Sequence, residues 1–268
     1  MNNFTIGQYF PGNSPLHRMD PRAKIGLTVA LIAAIFVAQG FIAYAVYLLF
    51  IVLCAKVAQI DLKFIIRGLK PILFIVLFTF VLNVLFQKEG TVLWRWAFLT
   101  ITREGLRKAI FMAFRLVLLV MASQLLTLTT SPIALTDGLE SIMKPLSKVG
   151  FPAHELAMIM AIALRFIPTL MEETDKIMKA QKARGADFES GNIVQRAKAM
   201  IPLLVPLFVS AFRRADELAM AMEARCYRGG TGRTRMKRLK FTRLDLYGAL
   251  AMVALYVCVI ALNVIGAF

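Results

Sequence analysis

The sequence has little of the chemistry that catalysis or metal binding requires. It contains only two histidines and three cysteines in 268 residues. His17 and His154 are far apart and have no ligand pattern around them, whereas a zinc site draws on closely spaced His and Cys side chains. We therefore expect no metal site. Cys54, Cys226 and Cys258 show no disulfide or metal-ligand spacing, which indicates free thiols in a reducing compartment.

The sequence also lacks a nucleotide-binding motif. A P-loop places a Lys after glycines whose backbone cradles phosphates, and the pattern GxxxxGK[ST] is absent. The stretch 229–233 (GGTGR) predicts only a flexible basic loop. Glu172, Glu173 and Asp175 fall on the polar side of a predicted helix and do not form a catalytic pair. We expect a non-catalytic chain that binds no cofactor itself.

Charge is missing from long stretches of the chain. Residues 25–55 and 246–268 contain no charged side chain, and 59% of all residues are hydrophobic. A helix needs about 20 apolar residues to span a bilayer, so the chain is predicted to be an all-α integral membrane protein. A single helix over 25–55 would be roughly 46 Å long. A tight hairpin near Gln39-Gly40, with two short tilted spans, fits the membrane better.

Three further spans complete the predicted layout of about five transmembrane helices. Two of them cover 71–86 and 105–130, and the last covers 246–268. The connection 87–104 is expected to be a loop with Trp94 and Trp96 in an interfacial aromatic belt. Arg115 lies inside the fourth span, where it either snorkels, pairs inside the bundle or lines a substrate pathway.

The region 131–243 is basic and predicted to be cytoplasmic. It holds 19 of the 32 Lys and Arg residues and 11 of the 16 acidic residues. This excess follows the positive-inside rule, which explains the net charge of +16 without a nucleic-acid partner. The pattern predicts three helices here, two of them long and lying on the cytoplasmic face, kinked at Pro168 and at Pro202/Pro206. A basic cluster before the last span is expected to bind anionic lipid: Arg233, Arg235, Lys237, Arg238, Lys240 and Arg243.

Each long helix ends in a similar arginine motif. The first ends in Ala183-Arg184-Gly185, and the second ends in Ala224-Arg225-Cys226-Tyr227 followed by Arg228-Gly229-Gly230. In each, a glycine that can adopt the left-handed helix-cap conformation follows closely. One interpretation is a cation that favours the helix dipole by about 0.3–1 kcal/mol. The second interpretation is suggested by the recurrence of the motif. The two helix ends form a paired docking site, in which each guanidinium binds carboxylates of a partner.

The two motifs, the five-span layout and residues 14–24 (SPLHRMDPRAK) together resemble the transmembrane T component of energy-coupling factor (ECF) transporters. The resemblance covers essentially the whole chain. It implies a membrane part with four spans (1–130), a region of coupling helices (131–243) and a last transmembrane helix (244–268). It also implies a multi-pass protein of the bacterial plasma membrane with a cytoplasmic N-terminus.

The resemblance further implies partners. Two ABC-type ATPase subunits, which carry ATP and Mg, would dock on Arg184 and Arg225. A small substrate-binding membrane subunit, the S component, would pack on the coupling helices and be reoriented for vitamin or metal-ion uptake. Nine of the 14 methionines lie in 131–243, where flexible Met suits a surface for several partners or fills core gaps. The expected S-component contacts are Leu156, Met158, Ile159 and Met160.

Two other classes of function are considered. A secondary transporter or channel subunit would need polar groups at mid-membrane, and the spans offer little beyond Asn83, Arg115, Ser123, Gln124 and Asn263. A membrane enzyme would need clustered acids, histidines or a nucleophile at the bilayer surface, and none is evident in the sequence.

Overall fold

A computed structural model describes residues 9–38, 40–87, 91–96, 99–188, 192–229 and 239–264. These residues are almost entirely helical, which confirms the predicted all-α class. The α-helices are α1 (Pro15–Arg18), α2 (Pro21–Val37), α3 (Phe41–Val57), α4 (Leu62–Phe86), α5 (Arg103–Thr129), α6 (Pro132–Met143), α7 (Ala153–Ala183), α8 (Ile193–Ala224) and α9 (Arg243–Val264), with a 3-10 helix at Lys144–Val149 between α6 and α7.

The predicted hairpin in the first apolar run is present. Helices α2 and α3 have 17 residues each and meet at Gly40, whose φ of +103° favours a residue without a Cβ. At about 1.5 Å per residue, each helix is roughly 26 Å long. Both therefore fall short of the roughly 30 Å thickness of a bilayer's hydrocarbon core.

Five helices are long and apolar enough to cross a membrane, and they are α4, α5, α7, α8 and α9. The number agrees with the prediction, but the membership differs. The two short helices α2 and α3 were predicted as spans, whereas α7 and α8 were predicted to lie on the membrane surface. Because this comparison uses only length and composition, the surface position of α7 and α8 stays a prediction.

The connection between α4 and α5 is not a simple loop. Strand β1 (Val92–Trp96) pairs antiparallel with β2 (Leu99–Thr102). The segment is rich in β-branched and aromatic residues, which favour strands, and this signal was missed. The side chains of Trp94 and Trp96 lie outside the described residues, so the aromatic belt stays a prediction.

The chain forms two compact units, of which the first comprises Met1–Ser141 and Arg238–Phe268. Its core is built from α2, α3, α5 and α9, and Ile35, Tyr47, Ile51 and Leu118 are almost completely buried in it. Helix α4 packs along α5. Their approach is close at Gly68, where an added Cβ would lie 1.7 Å from the Gln124 side-chain nitrogen.

The second unit, Ile142–Lys237, contains the long helices α7 and α8 as an antiparallel pair. Ile162 and Phe166 of α7 face Leu218 and Met222 of α8 around a small shared cavity. Both helices continue through their internal prolines, which are Pro168 in α7 and Pro202 and Pro206 in α8. The distinctive features of this unit are the C-terminal ends of α7 and α8, which carry the two arginine motifs.

Candidate functional site at the two arginine-bearing helix ends

The end of α7 is a complete Schellman cap around Arg184. Arg184 is the C-cap residue, and Gly185 follows in the left-handed conformation with a φ of +87°. The Gly185 N–H donates to the Lys182 carbonyl at 3.0 Å, and the Ala186 N–H donates to the Gln181 carbonyl at 3.0 Å. These two bonds define the Schellman motif and satisfy carbonyls that the end of the helix would leave free.

The end of α8 repeats this cap around Arg225. Arg225 is the C-cap residue, and Cys226 follows with a φ of +54°. The Cys226 N–H donates to the Glu223 carbonyl at 2.8 Å, and the Tyr227 N–H donates to the Met222 carbonyl at 3.0 Å. Residue by residue, Arg225 corresponds to Arg184 and Cys226 corresponds to Gly185. The sequence similarity of the two motifs is therefore a similarity of backbone geometry.

One detail of the second motif was predicted wrongly. A glycine following Arg225 was expected to adopt the left-handed conformation, as Gly185 does, but that residue is Cys226. The left-handed position of a Schellman cap directly follows the C-cap residue, and Gly229, although its φ is +87°, is too far along the chain. Gly230 lies outside the described residues. Cys226 therefore holds a conformation that usually favours glycine.

Both arginine side chains are directed to the surface. Arg184 and Arg225 are exposed, as are Ala183, Gly185, Ala224 and Cys226, while Tyr227 is half-buried. Among the described residues, neither guanidinium forms a hydrogen bond or an ion pair. Each presents a planar fork of donors suited to a carboxylate.

The two arginines lie at opposite ends of the α7–α8 pair. The Tyr227 Oη atom is 3.5 Å from Nε2 of His154, the second residue of α7. Arg184 follows His154 by 30 residues, which corresponds to about 45 Å along a helix. The antiparallel arrangement therefore separates Arg225 from Arg184 by nearly the full length of α7.

A polar contact joins the two helices near the middle of this length. Glu173 of α7 accepts hydrogen bonds from Ser210 Oγ and, at 2.8 Å, from Arg214 Nη2, both on α8. The Glu173 and Arg214 side chains are 23% and 34% exposed, so the ion pair is screened only in part. It joins α7 and α8 at one position along their length.

The surface of the long helices is apolar over a wide area. Of the predicted S-component contacts, Leu156, Ile159 and Met160 are exposed, whereas Met158 is half-buried. At about 100° per residue, Met158 points away from the face that Leu156 and Met160 share. A second exposed stripe lies on α8 and was not predicted from the residue pattern. Its four members follow helical spacing: Ile201, Val205, Phe208 and Phe212.

Residues 14–24, which carry part of the family resemblance, contribute to a buried polar cluster in the first unit. The Arg22 side chain donates to both carboxylate oxygens of Asp20. The Asp20 N–H donates to Asp245 Oδ1 at 2.8 Å, and Lys24 Nζ donates to the Thr129 carbonyl at 2.9 Å. The Asp20–Arg22 pair joins residues that are only two positions apart in the sequence. The contributions of Lys24 and Asp245 were missed because their partners lie more than 100 residues away in sequence.

The charge of Asp20 is stabilised inside this cluster. Burial acts to raise the pKa of Asp20, but the hydrogen bonds and the positive charge of Arg22 hold that pKa below its usual range. Asp20 also begins α2, since its side chain accepts a bond from the Arg22 N–H at 2.9 Å. The cluster thus ties the N-terminal segment to the beginning of α9 and the end of α5.

Arg115 has a partner inside the helix bundle. Its Nε donates to the Tyr44 hydroxyl at 3.0 Å, and the Arg115 side chain is half-buried. This contact agrees with the bundle-facing interpretation of the sequence. Of the predicted lipid-binding cluster, Lys240 and Arg243 are described, and residues 233–238 lie outside the described residues. No three His, Cys, Asp or Glu side chains gather as a metal site in the described ranges.

Comparison with known proteins places the chain in a family. Residues 12–237 match the family model CbiQ, described as a cobalt transport protein. The energy-coupling factor transporter transmembrane protein EcfT of Thermosediminibacter oceani is 60% identical over 251 residues, covering 94% of each chain. The protein of the same name in Ruminiclostridium cellulolyticum is 57% identical over 246 residues (92% of each chain). That of Bacillus subtilis is 49% identical over 255 residues (95% of this chain and 96% of the relative).

These matches cover nearly the whole chain, including both arginine-bearing helix ends and residues 14–24. They agree with the multi-pass helical fold and with the resemblance carried by the motifs. The chain therefore belongs to the CbiQ family, among the transmembrane components of energy-coupling factor transporters.

Proposed function

We propose that this chain transmits the work of two ABC-type ATPase subunits to a small substrate-binding membrane subunit, the S component. The ATPases would carry ATP and Mg, and the S component would carry a vitamin or a metal ion through the bacterial plasma membrane. One observation carries the proposal: the same cap, with an exposed arginine that has no partner among the described residues, recurs at both ends of the α7–α8 pair.

The spacing of the arginines supports two docking points. A small protein domain is about 30 Å across, whereas Arg184 and Arg225 are separated by about 45 Å along α7. A single small domain would not reach both. Each arginine would enter a groove on one ATPase and bind acidic side chains there as a bidentate fork. The cap would hold the backbone of each arginine in place, which lowers the entropy lost on binding.

The proposal requires α7 and α8 to lie along the cytoplasmic face of the membrane. Because they are antiparallel, a pair that crossed the bilayer would put Arg184 and Arg225 on opposite sides. A pair lying along the surface leaves both on one side, where two ATPases can meet. The cations of 176–184 favour this arrangement under the positive-inside rule, which also gives a cytoplasmic N-terminus.

Transmission would use the stiffness of the helix pair. When the ATPases close on ATP, the distance between their docking points changes. The continuous helical backbone would carry a force from Arg184 or Arg225 to the contact between Glu173 and Arg214, where it would change the angle between α7 and α8. Helix crossing angles have a few preferred values set by side-chain packing, which gives the movement defined end states.

The apolar surface of the long helices would hold the S component. Leu156, Ile159 and Met160 provide an exposed patch on α7, and Phe208 and Phe212 extend the apolar area on α8. Flexible methionines suit a surface that receives more than one partner. Met158 is half-buried and would act by supporting this patch from beneath.

The docking proposal is tested by purifying the tagged chain in mild detergent with its partners, as wild type, Arg184→Ala, Arg225→Ala and the double variant. Bound ATPase subunits and ATP-driven uptake are both scored. Buried interface arginines often contribute 2 kcal/mol or more, so each single variant should lose about 30-fold in ATPase affinity. Arg184→Lys should recover only part of the loss, because an ammonium lacks the planar fork.

Arg213→Ala is the matched control, since Arg213 is exposed and lies on α8, outside both arginine motifs. It should retain both ATPases and transport. If all variants held the same partners and transported at the wild-type rate, the arginines would be only helix caps.

A further inference from the structure

A cavity of about 520 Å³ lies in the first unit, beside the turn between α2 and α3. Its charged lining consists of Arg107, Lys108, Arg115 and Glu104. Three cations and one acid give this lining a net charge of +2 if all four groups are ionised. A volume of this size falls in the range of ligand pockets. The docking of ATPases does not use it, because it belongs to the other unit.

The charged residues follow one face of α5. Glu104, Arg107, Lys108, Phe111 and Arg115 are separated by three, one, three and four positions, which keeps them on one side of the helix. Arg115 lies 12 residues from the beginning of α5, or about 18 Å along its axis. A cation at that depth in a span is costly unless it has partners. Its hydrogen-bond partner Tyr44 is neutral, and within the described ranges Arg115 forms no ion pair.

The α2–α3 hairpin is short, and this explains how Arg115 can be reached by lipid headgroups. Tyr44 is only four residues, or about 6 Å along α3, from the Gly40 turn. The described parts of α2 and α3 therefore end not far beyond the level of Arg115, whereas α5 continues for about 18 Å. A bilayer accommodates a mismatch between its thickness and a short hydrophobic helix by thinning locally. Thinning here brings lipid headgroups down to the level of the cavity.

Apolar side chains surround the same turn. Phe36, Val37, Phe41 and Ile42 are all exposed, with Val37 at 74%. Phe36 also lies under the Arg115 guanidinium, whose carbon is 5.9 Å from the ring centroid. The region thus combines a cationic cavity with an exposed apolar rim. An anionic phospholipid complements both features, with its headgroup in the cavity and its acyl chains on the rim. A soluble anion complements only the cationic cavity.

We propose that the cavity beside the α2–α3 turn binds the phosphate of an anionic phospholipid headgroup, with its acyl chains on the apolar rim. Arg115 and Arg107 donate charge-assisted hydrogen bonds to the phosphate oxygens, for which guanidinium is well shaped. Tyr44 holds Arg115 in position, and Phe111 supports Arg107, whose guanidinium carbon is 5.5 Å from the Phe111 ring centroid. The bound lipid then compensates the positive charge inside the bundle.

The test is native mass spectrometry of the full chain released from nanodiscs that contain phosphatidylglycerol in phosphatidylcholine. The expected result is one retained phosphatidylglycerol per chain. Each cation near a membrane surface contributes about 1 kcal/mol to anionic-lipid binding, so Arg107→Gln should lower the affinity for phosphatidylglycerol about 5-fold and Arg107→Gln/Arg115→Gln more than 10-fold. Arg115→Lys should keep most of the binding. Lys63→Gln removes an exposed cation on α4 that does not line the cavity, and it should bind like wild type.

Two further arms separate the sources of phosphate. Thermal unfolding is compared in phosphatidylglycerol nanodiscs and in pure phosphatidylcholine nanodiscs with millimolar inorganic phosphate. Stabilisation by phosphatidylglycerol alone, lost in Arg107→Gln, supports the lipid site. Equal stabilisation by inorganic phosphate would overturn the lipid assignment. Equal binding of phosphatidylglycerol by wild type and Arg107→Gln would also overturn it. So would a variant Arg107→Gln that binds the lipid normally but loses a co-purifying protein, because the cavity would then be a protein contact.

Discussion

Cys226 occupies the position at which α7 has Gly185, and this difference makes a quantitative prediction. The Cys226 φ of +54° is left-handed, and its side chain is exposed. Replacing it by glycine should leave the hydrogen bonds of the cap intact while removing the steric cost of the Cβ. Cys226→Gly should therefore stabilise the end of α8.

The magnitude follows from two opposing terms. A left-handed residue other than glycine costs roughly 1–2 kcal/mol, which the glycine substitution removes. Glycine in turn loses about 0.5–1 kcal/mol more in backbone entropy when it is ordered. The net stabilisation is about 0.5–1 kcal/mol, or roughly a 2- to 5-fold change in the local opening equilibrium.

Hydrogen–deuterium exchange reports this change directly. The Cys226 backbone N–H group bonds to the Glu223 carbonyl and that of Tyr227 to the Met222 carbonyl. Because these bonds break when the cap opens, a peptide covering 220–229 should exchange about 2- to 5-fold more slowly in Cys226→Gly. Gly185→Ala introduces the opposite change at the end of α7, and the peptide covering 181–187 should exchange faster.

Cys226→Ala is the control, since it removes the thiol but keeps a Cβ at the left-handed position. It should exchange like the wild type. The conformational reasoning would be refuted if Cys226→Gly exchanged as fast as Cys226→Ala. It would also be refuted if Gly185→Ala left the end of α7 unchanged, because the two caps would then differ in geometry.

Three further predictions concern packing and charge. Gly68→Ala places a Cβ against the amide end of the flexible Gln124 side chain, which can move aside. It should therefore lower the free energy of unfolding by only about 1 kcal/mol, and thermal unfolding in a Gln124→Ala background should recover most of this loss. The pKa of Asp20 is lowered in the folded protein, so its charge adds stability above the unfolded aspartate pKa of about 4. This stability is lost as the pH falls through the lower pKa of the folded state. Between pH 6 and 3, the thermal unfolding midpoint should therefore fall more steeply in wild type than in Asp20→Asn. A double-mutant cycle with Glu173→Gln and Arg214→Gln should give a coupling of about 0.5–1 kcal/mol in the free energy of unfolding, as expected for a partly exposed ion pair. No measurable coupling would mean that this contact does not stabilise the packing of α7 on α8.

The helical membrane architecture was predictable because lipid imposes simple rules on sequence. Uncharged runs longer than a span, such as 25–55, require a hairpin, and the structure forms one at Gly40. Helix α4 begins at Leu62, well before the predicted span at 71, because a helix continues beyond the hydrocarbon core as long as its backbone bonds are satisfied. The residue pattern therefore located these helices better than it located their ends.

The site was predictable only in part. The residue pattern identified Arg184 and Arg225, but the left-handed conformation of Cys226 depends on the hydrogen bonds that end α8, which composition does not reveal. The stripe that ends in Phe212 was missed for a different reason. In a membrane protein, apolar residues are expected at both buried and exposed positions, so only the packing of α7 on α8 identifies the uncovered face.

The most direct test of the account asks whether α7 and α8 present both arginines on the same side of the membrane. Cys226, next to Arg225, is exposed and is a natural label site. Ala183→Cys, in a chain whose native cysteines are replaced by serine, provides the matching site beside Arg184. Each single-cysteine chain is treated with a membrane-impermeant maleimide in right-side-out and inside-out vesicles. The account predicts that both sites react only in inside-out vesicles, and labelling from opposite sides would contradict it.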